Sequence, residues 1–234
     1  ARESAGLDEF YGRNLPAPPA AFPPERFVEV SQLYGRHAVA LNLRGERYAD
    51  EASDWSETAL TRATARQPGL RAWYLVDGVG LRRRVRERTV AEMVATAREV
   101  GGTVLEAATM AELARRLAER GVPGDMVLRS LDRYNAAVAA GRAVELAPPR
   151  GDPAAAVETP PFVAVEVAPG ITHTIGGLSV DEGCRVLRRT DGRPLPGLYA
   201  AGVEVGGVSV GGYTSGLASA VVFGRTAAES AVRG

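Results

Sequence analysis

The chain contains no lysine, one cysteine and two histidines among its 234 residues. The single Cys184 excludes an internal disulfide framework and a cysteine metal cluster, and His37 and His173 stand too far apart in sequence to indicate a metal site. All 28 basic residues are arginine and are balanced by 28 acidic residues, with no long basic run interleaved with aromatics. The sequence therefore gives no electrostatic indication of nucleic-acid binding.

Long apolar runs are also missing. No stretch approaches the roughly 18 residues that a membrane helix needs, and the first residues lack the basic and apolar regions of a secretory signal. Together with the lone cysteine, this predicts a cytoplasmic protein in a reducing compartment, without membrane insertion. Apolar residues make up 45% and charged residues 24% of the chain, which is ordinary usage for one large or two small globular domains.

Prolines mark the beginning of the chain. Segment 15–24 has the sequence L-P-A-P-P-A-A-F-P-P, which predicts an extended connector, because proline lacks an N–H and has a fixed φ angle. We therefore expect residues 1–25 to be a lead-in and regular structure to begin after it. Residues 37–43 with Arg47 and Tyr48 predict a hairpin, and Leu70–Asp77 predicts a strand.

Capping signals predict the helices that follow. Thr89 with Glu92, and Thr109 with Glu112, have the spacing of a capping box before segments with apolar residues at helical spacing. A third amphipathic helix is expected over 125–139. Further elements are predicted by apolar patterns: a helix from Asp54 to Gln67, strands at Phe162–Val167, 178–180, 186–187 and Leu198–Ala201, and a last helix from Ser215 to Val232.

Glycine is concentrated in the last third of the chain. The segments are T-H-T-I-G-G at 172–177, P-G-L-Y-A-A-G at 196–202 and G-G-V-S-V-G-G-Y-T-S-G at 206–216. A strand, a glycine-rich loop and a helix N-terminus suit a cofactor with partial negative charge, because unpaired N–H groups and the helix dipole converge there. The alternative is a loop that only turns the chain, and spacing alone leaves both open.

These three segments, in this order, resemble the carboxyl-terminal part of the flavoproteins related to fumarate reductase and succinate dehydrogenase. N-L-R-G-E-R-Y-A-D-E at 42–51 and R-Y-N at 133–135 are similar to the capping domain of that family. The resemblance implies an α+β capping domain over 26–150 and a linker over 151–162. Residues 163–234 would then form the C-terminal part of an α/β, Rossmann-like FAD-binding domain, so that the flavoprotein fold is incomplete.

The family's dinucleotide-binding turn, G-x-G-x-x-G after a strand, has no counterpart in these residues. We therefore expect the chain to be the distal half of a longer flavoprotein, with a missing N-terminal FAD-binding half as its partner. By itself it should bind FAD weakly or not at all and be inactive.

The resemblance also implies which residues neighbour the flavin. His173 would lie beside the ring system, with a buried structural imidazole as the alternative. Glu204 stands one residue after the family's ribityl-binding acid and could equally be a surface carboxylate. The remaining cofactor positions are glycines and helix-start residues: Gly176, Gly177, Gly202, Gly216, Leu217 and Ala218.

The substrate side departs from the fumarate reductases. Trp55 stands where they have a proton-donating arginine, Ser31 and Tyr34 replace a relay glutamate and arginine, and Thr172 replaces a substrate-binding histidine. Tyr213 aligns near a second arginine and resembles the carbonyl-polarising tyrosine of ketosteroid dehydrogenases, although the proline after it is missing. Tyr34, Trp55 and Tyr213 could line an apolar pocket or be core aromatics. Without arginine the site could not clamp a dicarboxylate, so fumarate and succinate are not expected as substrates.

Two functions follow from these observations. The first is an FAD-dependent oxidoreductase that moves a hydride between flavin N5 and a carbon next to a carbonyl or carboxylate, with Tyr213 and Thr172 as candidate catalytic residues. The alternative is a non-catalytic half that must pair with a separate nucleotide-binding segment. A metal-dependent hydrolase has no ligand set in the sequence.

Overall fold

The computed structural model describes residues 10–18, 24–53, 58–208 and 216–233. Its Cα positions divide into two compact units. The first unit is Gly12–Gly170, and the second comprises Ala1–Tyr11 with Ile171–Gly234.

The strands are β1 (Phe10–Pro16), β2 (Val39–Asn42), β3 (Ala72–Val76), β4 (Arg84–Val85), β5 (Arg88–Thr89), β6 (Val104–Ala107), β7 (Phe162–Thr174), β8 (Arg185–Leu187) and β9 (Pro194–Tyr199). The helices are α1 (Phe27–Val30), α2 (Thr58–Ala65), α3 (Gly78–Leu81), α4 (Val90–Glu99), α5 (Met110–Ala118), α6 (Gly124–Ala139) and α7 (Gly216–Arg233). The fold is thus mixed α/β. No helix in the described part of the chain is long and apolar enough to cross a membrane.

A five-stranded sheet is the centre of the first unit. Its order is β1-β7-β3-β2, and β6 also pairs with β7. Strand β3 is antiparallel to both neighbours, so that Trp73 lies opposite Leu41 on one side and Glu166 on the other. Every residue of β3 is buried, because side chains that alternate along the strand meet a helical layer on each face.

Helices cover both faces of this sheet. One core cluster joins Tyr74 and Val76 of β3 to side chains of α2 and α4: Leu60, Val90, Met93, Val94 and Ala97. The other joins Trp73 and Leu75 to side chains of α5 and α6: Leu113, Ala114, Leu117, Val127, Leu131 and Tyr134. The first unit is therefore a three-layer arrangement with one sheet between two helical layers.

The capping signals are confirmed. Thr89 Oγ1 accepts a bond from the Glu92 backbone N–H at 3.3 Å, and the Glu92 carboxylate accepts one from the Thr89 N–H at 2.6 Å, which makes a complete capping box at the start of α4. The bonds that the Thr89 N–H and the Thr89 hydroxyl donate to the Glu92 carboxylate lower the pKa of Glu92. Thr109 Oγ1 accepts from the Glu112 N–H at 3.2 Å at the start of α5.

The expectation that regular structure begins only after the proline-rich segment is wrong. Phe10–Pro16 forms strand β1 at the edge of the sheet. Pro16 is the last residue of this edge strand, a position where a missing backbone N–H is tolerated. Asn14 anchors the strand, since its fully buried side chain donates to Thr64 Oγ1 at 3.1 Å and to Tyr74 Oη at 2.5 Å. A buried asparagine with two side-chain acceptors fixes this strand although its composition favours a loop.

The second unit contains the β8–β9 pair and α7. A small cluster of Val186, Ala200 and Val205 is buried there. Helix α7 begins at Gly216 and runs through Arg233, close to its predicted range, and none of its residues is buried. Leu217, at 76% exposure, and Val221, at 71%, are among its exposed apolar side chains.

The strand predicted at Phe162–Val167 is confirmed, and β7 continues through Thr174. The division between the two units falls within β7, between Gly170 and Ile171, whereas the sequence placed a linker at 151–162. The assignment of the two parts to a capping domain and a flavin-binding segment stays a prediction.

Candidate functional site

The glycine-rich segments of the second unit lie side by side. Leu178 N–H donates to the Glu204 carbonyl at 2.7 Å, and Gly206 N–H donates to the Leu178 carbonyl at 3.0 Å. Leu178 and Val205 form a parallel bridge between the same segments. The structure therefore brings the turn after T-H-T-I-G-G next to the segment that follows Ala-Ala-Gly.

Glycine is required at this contact. A Cβ atom on Gly177 would lie 2.5 Å from the Glu204 carbonyl oxygen, and one on Gly206 would meet the Gly177 nitrogen. Both clashes are with backbone, which has no flexible end to move away. Gly177 and Gly206 thus serve close approach of two chain segments to each other.

Gly202 and Glu204 lie beside α7. Gly202 has a positive φ of 63°, and a Cβ atom there would be 3.5 Å from the Ala220 side chain. Positive φ favours glycine at this position. Glu204 is exposed, so its carboxylate carries no burial cost and can accept a hydrogen bond from a hydroxyl group of a ligand.

The N-terminus of α7 supplies backbone donors. In a helix the first four N–H groups have no acceptor within the helix, and the dipole places partial positive charge there. Gly216, Leu217 and Ala218 occupy this turn, and Leu217 extends an apolar side chain into solvent. This end of α7 can therefore bind a flat apolar group whose edge carries acceptors and negative charge.

The end of β7 leads into the same region of the second unit. Thr172 is exposed and is the third residue from the end of the strand. The backbone of His173 also belongs to β7, and the His173 side chain lies outside the described part. Gly176 lies two residues after the end of β7. All predicted cofactor residues whose positions are described thus belong to the second unit. Trp55 and Tyr213 lie outside the described residues.

Tyr34 belongs to the first unit and is fully buried. It lies in the core cluster with Tyr74, whose ring it meets edge-on, with centroids 5.6 Å apart and an interplanar angle of 72°. Such edge-to-face pairs are a favourable arrangement of core aromatics. A contact between Tyr34 and a substrate stays a prediction.

A buried ionic network in the first unit was not predicted. Glu51 is 1% exposed and lies between Arg47 and Arg150. Its Oε2 accepts from Arg47 Nη2 at 2.6 Å and from Arg150 Nη1 at 3.1 Å, and its Oε1 accepts from the Ala40 N–H at 3.0 Å. One carboxylate therefore joins strand β2 to two arginines.

Backbone carbonyls complete this network. Arg47 donates to the Pro148 carbonyl at 2.9 Å, and Arg150 donates to the carbonyls of Arg36 at 2.5 Å and Pro153 at 3.0 Å. Arg150 directly precedes the linker predicted over 151–162, and the prolines at 148 and 149 before it gave no reason to expect a buried charge. The only sequence signal was Arg47 four residues before Glu51, a spacing that also occurs on solvated surfaces.

Comparison with known proteins decides the family. The family model described as "FAD binding domain" matches residues 5–221. The chain belongs to this family. It is 33% identical over 211 residues to an NADH:acrylate oxidoreductase of Vibrio harveyi, covering 89% of this chain and 19% of that protein. It is 30% identical over 202 residues to a probable fumarate reductase, Ifc3, of Shewanella frigidimarina, covering 85% of this chain and 32% of that protein.

Solved structures agree with this assignment. An open flavocytochrome c3 fumarate reductase matches with a TM-score of 0.60 and 27% identity, over 97% of this chain and 37% of that chain. A 3-ketosteroid delta1-dehydrogenase from Sterolibacterium denitrificans matches in fold with a TM-score of 0.66, at 22% identity, over 96% of this chain and 44% of that chain. The chain thus spans a fifth to a third of the length of these two curated relatives. The family implies FAD as cofactor.

Proposed function

We propose that this chain is part of an FAD-dependent oxidoreductase that moves a hydride between flavin N5 and a carbon next to a carbonyl or carboxylate. The main support is the family match over residues 5–221, together with the glycine-rich contact at Gly177 and the exposed N-terminus of α7. The names of the relatives fit this reaction class, since acrylate and fumarate carry a carboxylate next to a double bond. A 3-ketosteroid carries a ketone.

The residues of the second unit fit the ring end of FAD. The N–H groups at Gly216, Leu217 and Ala218 would donate to its pyrimidine edge, and the exposed Leu217 side chain offers apolar surface. Glu204 would accept from a ribityl hydroxyl, with His173, Gly176, Gly177 and Gly202 as further neighbours. Bound FAD would supply hydride transfer at N5. The protein's part is to orient the ring and to stabilise negative charge with the α7 dipole.

Within this class, the site would prefer a neutral, carbonyl-bearing substrate over a small dicarboxylate. We propose that Tyr213 donates a hydrogen bond to its carbonyl oxygen, with Thr172 as a second candidate catalytic residue and Tyr34 and Trp55 as candidate substrate contacts. Burying two carboxylates without arginine partners costs several kcal/mol each, whereas one tyrosine hydroxyl satisfies one carbonyl. This argument excludes fumarate and succinate from the proposal.

Substitution of Tyr213 tests the chemical role. In the protein that carries this chain together with a dinucleotide-binding segment, Tyr213→Phe should lower turnover by about tenfold to a thousandfold, the range that one transition-state hydrogen bond supplies. Flavin binding, followed by absorbance, should change little. Tyr48→Phe is the matched control, because Tyr48 lies 2.8 Å from Thr64 in the first unit. Equal turnover in Tyr213→Phe and the wild type would refute the role, and rapid reduction of fumarate would refute the substrate class.

Titration with FAD tests how much of the cofactor site this chain holds. The 234 residues contain no dinucleotide-binding turn, so we expect weak binding or none, measured by quenching of flavin fluorescence. Tight stoichiometric binding and yellow purified protein would show that these residues hold FAD unaided.

In a second candidate function, the chain is the non-catalytic half of a flavoprotein and pairs with a separate nucleotide-binding segment. The observation that favours it is the exposure of Val221 and Val222 on α7, at 71% and 60%. Apolar side chains that remain exposed along a helix are typical of a surface that another segment covers. We expect the isolated chain to self-associate in sedimentation velocity experiments. A monodisperse monomer that unfolds cooperatively would contradict this candidate and leave the first untouched.

A further inference from the structure

A small cavity in the first unit is lined by cationic side chains. Its volume is about 120 Å³, and Arg36, His37, Arg83 and Arg150 contribute to its wall together with Asp77. In liquid water each molecule occupies about 30 Å³, so the cavity has room for a ligand group of a few heavy atoms. Its walls come from the segment before β2, the end of α3 and the loop that carries Arg150.

The one carboxylate named in this wall is already satisfied. Asp77 Oδ1 accepts from the N–H groups of Val79 and Gly80 at 3.1 and 2.7 Å, and Oδ2 accepts from those of Glu158 and Thr159 at 3.1 and 3.0 Å. These bonds cap α3 and hold the loop before β7. Because both oxygens face backbone donors, Asp77 is not placed as an ion-pair partner for the arginines.

Two of the arginines, Arg36 and Arg83, have no ion-pair partner in the described part of the chain. Arg150 is paired with Glu51, as described above. Among the residues that the structure describes, no carboxylate pairs with Arg36 or Arg83. The Arg36 Nε atom is buried without a hydrogen-bond partner, and so is Nε of Arg150, which is 2% exposed overall. Buried donors without partners are uncommon in folded proteins, so an acceptor, from water or from a ligand, would be favourable beside these atoms.

A second cavity adjoins the first. Its volume is about 260 Å³, and it shares Arg36, His37 and Pro153 with the smaller one. Arg84 and Arg86 of the β4–β5 hairpin also line it. A ligand with a charged group in the smaller cavity would therefore have room for a polar remainder in the larger one, near Arg84 and Arg86.

The imidazole of His37 lines both cavities, and its pKa depends on the charges around it. The pKa of His37 is lowered, first by burial and then by the positive charges of Arg36, Arg83 and Arg150. His37 is half-buried and stays neutral at pH 7, so one ring nitrogen can donate and the other can accept. An anion in the cavity would offset the cationic field.

We propose that this cavity binds a small phosphate-type oxyanion, held by Arg36, Arg83 and the His37 ring. Guanidinium groups that approach from separate chain segments match the several oxygens of a tetrahedral anion better than the two coplanar oxygens of a carboxylate. The chemistry is shared by inorganic phosphate and by the phosphoryl group of a phosphomonoester. The adjoining cavity favours the ester, because it accommodates the rest of such a molecule.

The test is titration of the full 234-residue chain with inorganic phosphate and with glycerol phosphate, at constant ionic strength kept with chloride. We expect saturable binding in calorimetry, tighter for the ester. Arg36→Gln and Arg83→Gln should each weaken it by about tenfold to a hundredfold, which corresponds to the loss of one charge-assisted hydrogen bond. Arg120→Gln removes the same charge at an exposed position outside the cavity and should leave binding unchanged.

Proton NMR gives an independent readout. The chain has two histidines, so the His37 ring signals can be assigned with a single His173→Gln variant. Bound phosphate should raise the pKa of His37, because it offsets the charges of the neighbouring arginines. Arg83 is exposed, and its substitution leaves the core intact. Absence of saturation with both ligands, an equal loss in Arg120→Gln, or a His37 pKa that phosphate does not move would each overturn the proposal.

Discussion

Replacing Glu51 by glutamine should strongly destabilise the first unit. The carboxylate is fully buried and holds two guanidinium groups, of which Arg47 is 6% and Arg150 2% exposed in the side chain. Glutamine keeps one oxygen acceptor but directs an NH₂ group at a guanidinium donor. The substitution therefore removes the negative charge of Glu51 and leaves two positive charges buried together.

The expected cost follows from this burial. Breaking a buried ion pair by removing one partner typically costs about 3–5 kcal/mol, because the remaining charge loses its compensation. With a urea slope of about 1–3 kcal/mol/M for a domain of this size, the midpoint should fall by about 1–5 M. Trp73 is in the core and reports the transition by fluorescence, and circular dichroism at the same urea concentrations checks that one transition is followed.

Glu119→Gln provides the matched control. Glu119 pairs with Arg115 on the surface of α5, where the two side chains are 61% and 63% exposed. Exposed pairs of this kind contribute little, because water screens them and both side chains lose rotamer freedom. An equal midpoint shift in Glu51→Gln and Glu119→Gln would refute the argument that burial makes the Glu51 network stabilising.

Three further predictions concern other parts of the chain. Asp77→Ala should lower the unfolding free energy by about 2–4 kcal/mol, since four backbone N–H groups lose their acceptor, and an unchanged urea midpoint would contradict this. Burial, and to a smaller extent the negative charge of Asp181, raises the pKa of the Cys184 thiol. Alkylation of Cys184 should therefore be at least about tenfold slower in the native protein than in the urea-unfolded protein. Because the folded state favours the protonated thiol, its contribution to stability is present below the ordinary pKa of 9.0 and is lost as pH rises above it; equal alkylation rates would contradict this burial. Gly177→Ala should separate the segments joined at Leu178 and Glu204 and weaken FAD binding in the longer protein, whereas Gly192→Ala, at an open turn, should leave FAD binding intact; equal flavin titrations for the two variants would contradict this.

The helices could be predicted because their signals are local. Thr89 and Glu92 stand three residues apart and make their capping bonds within the same turn, so the sequence contains both partners of the interaction. The α6 prediction of 125–139 differs from the structure by one residue for the same reason, since its apolar spacing is a property of one segment.

Strand β1 and the Glu51 network could not be predicted in this way. Asn14 finds its partners at Thr64 and Tyr74, which are 50 and 60 residues away, and Arg150 meets Glu51 across 99 residues. Proline-rich composition around both segments indicates loops, and tertiary contacts override it. The glycine-rich segments were recognised from their composition, but the contact at Gly177 could not be predicted, because its partner Glu204 lies far along the chain.

Arg150 links the ionic network to the cationic cavity. The guanidinium group that pairs with Glu51 also donates to the carbonyl oxygens of Arg36, at 2.5 Å, and Ala38, at 3.4 Å. These bonds fix the backbone on both sides of His37, whose ring lines the cavity. Ordering of this segment therefore occurs during folding, so an anion that enters the cavity need not order the Arg36–Ala38 backbone itself. Glu51 in turn compensates the charge of Arg150, which allows several guanidinium groups to lie near one another before any ligand is present.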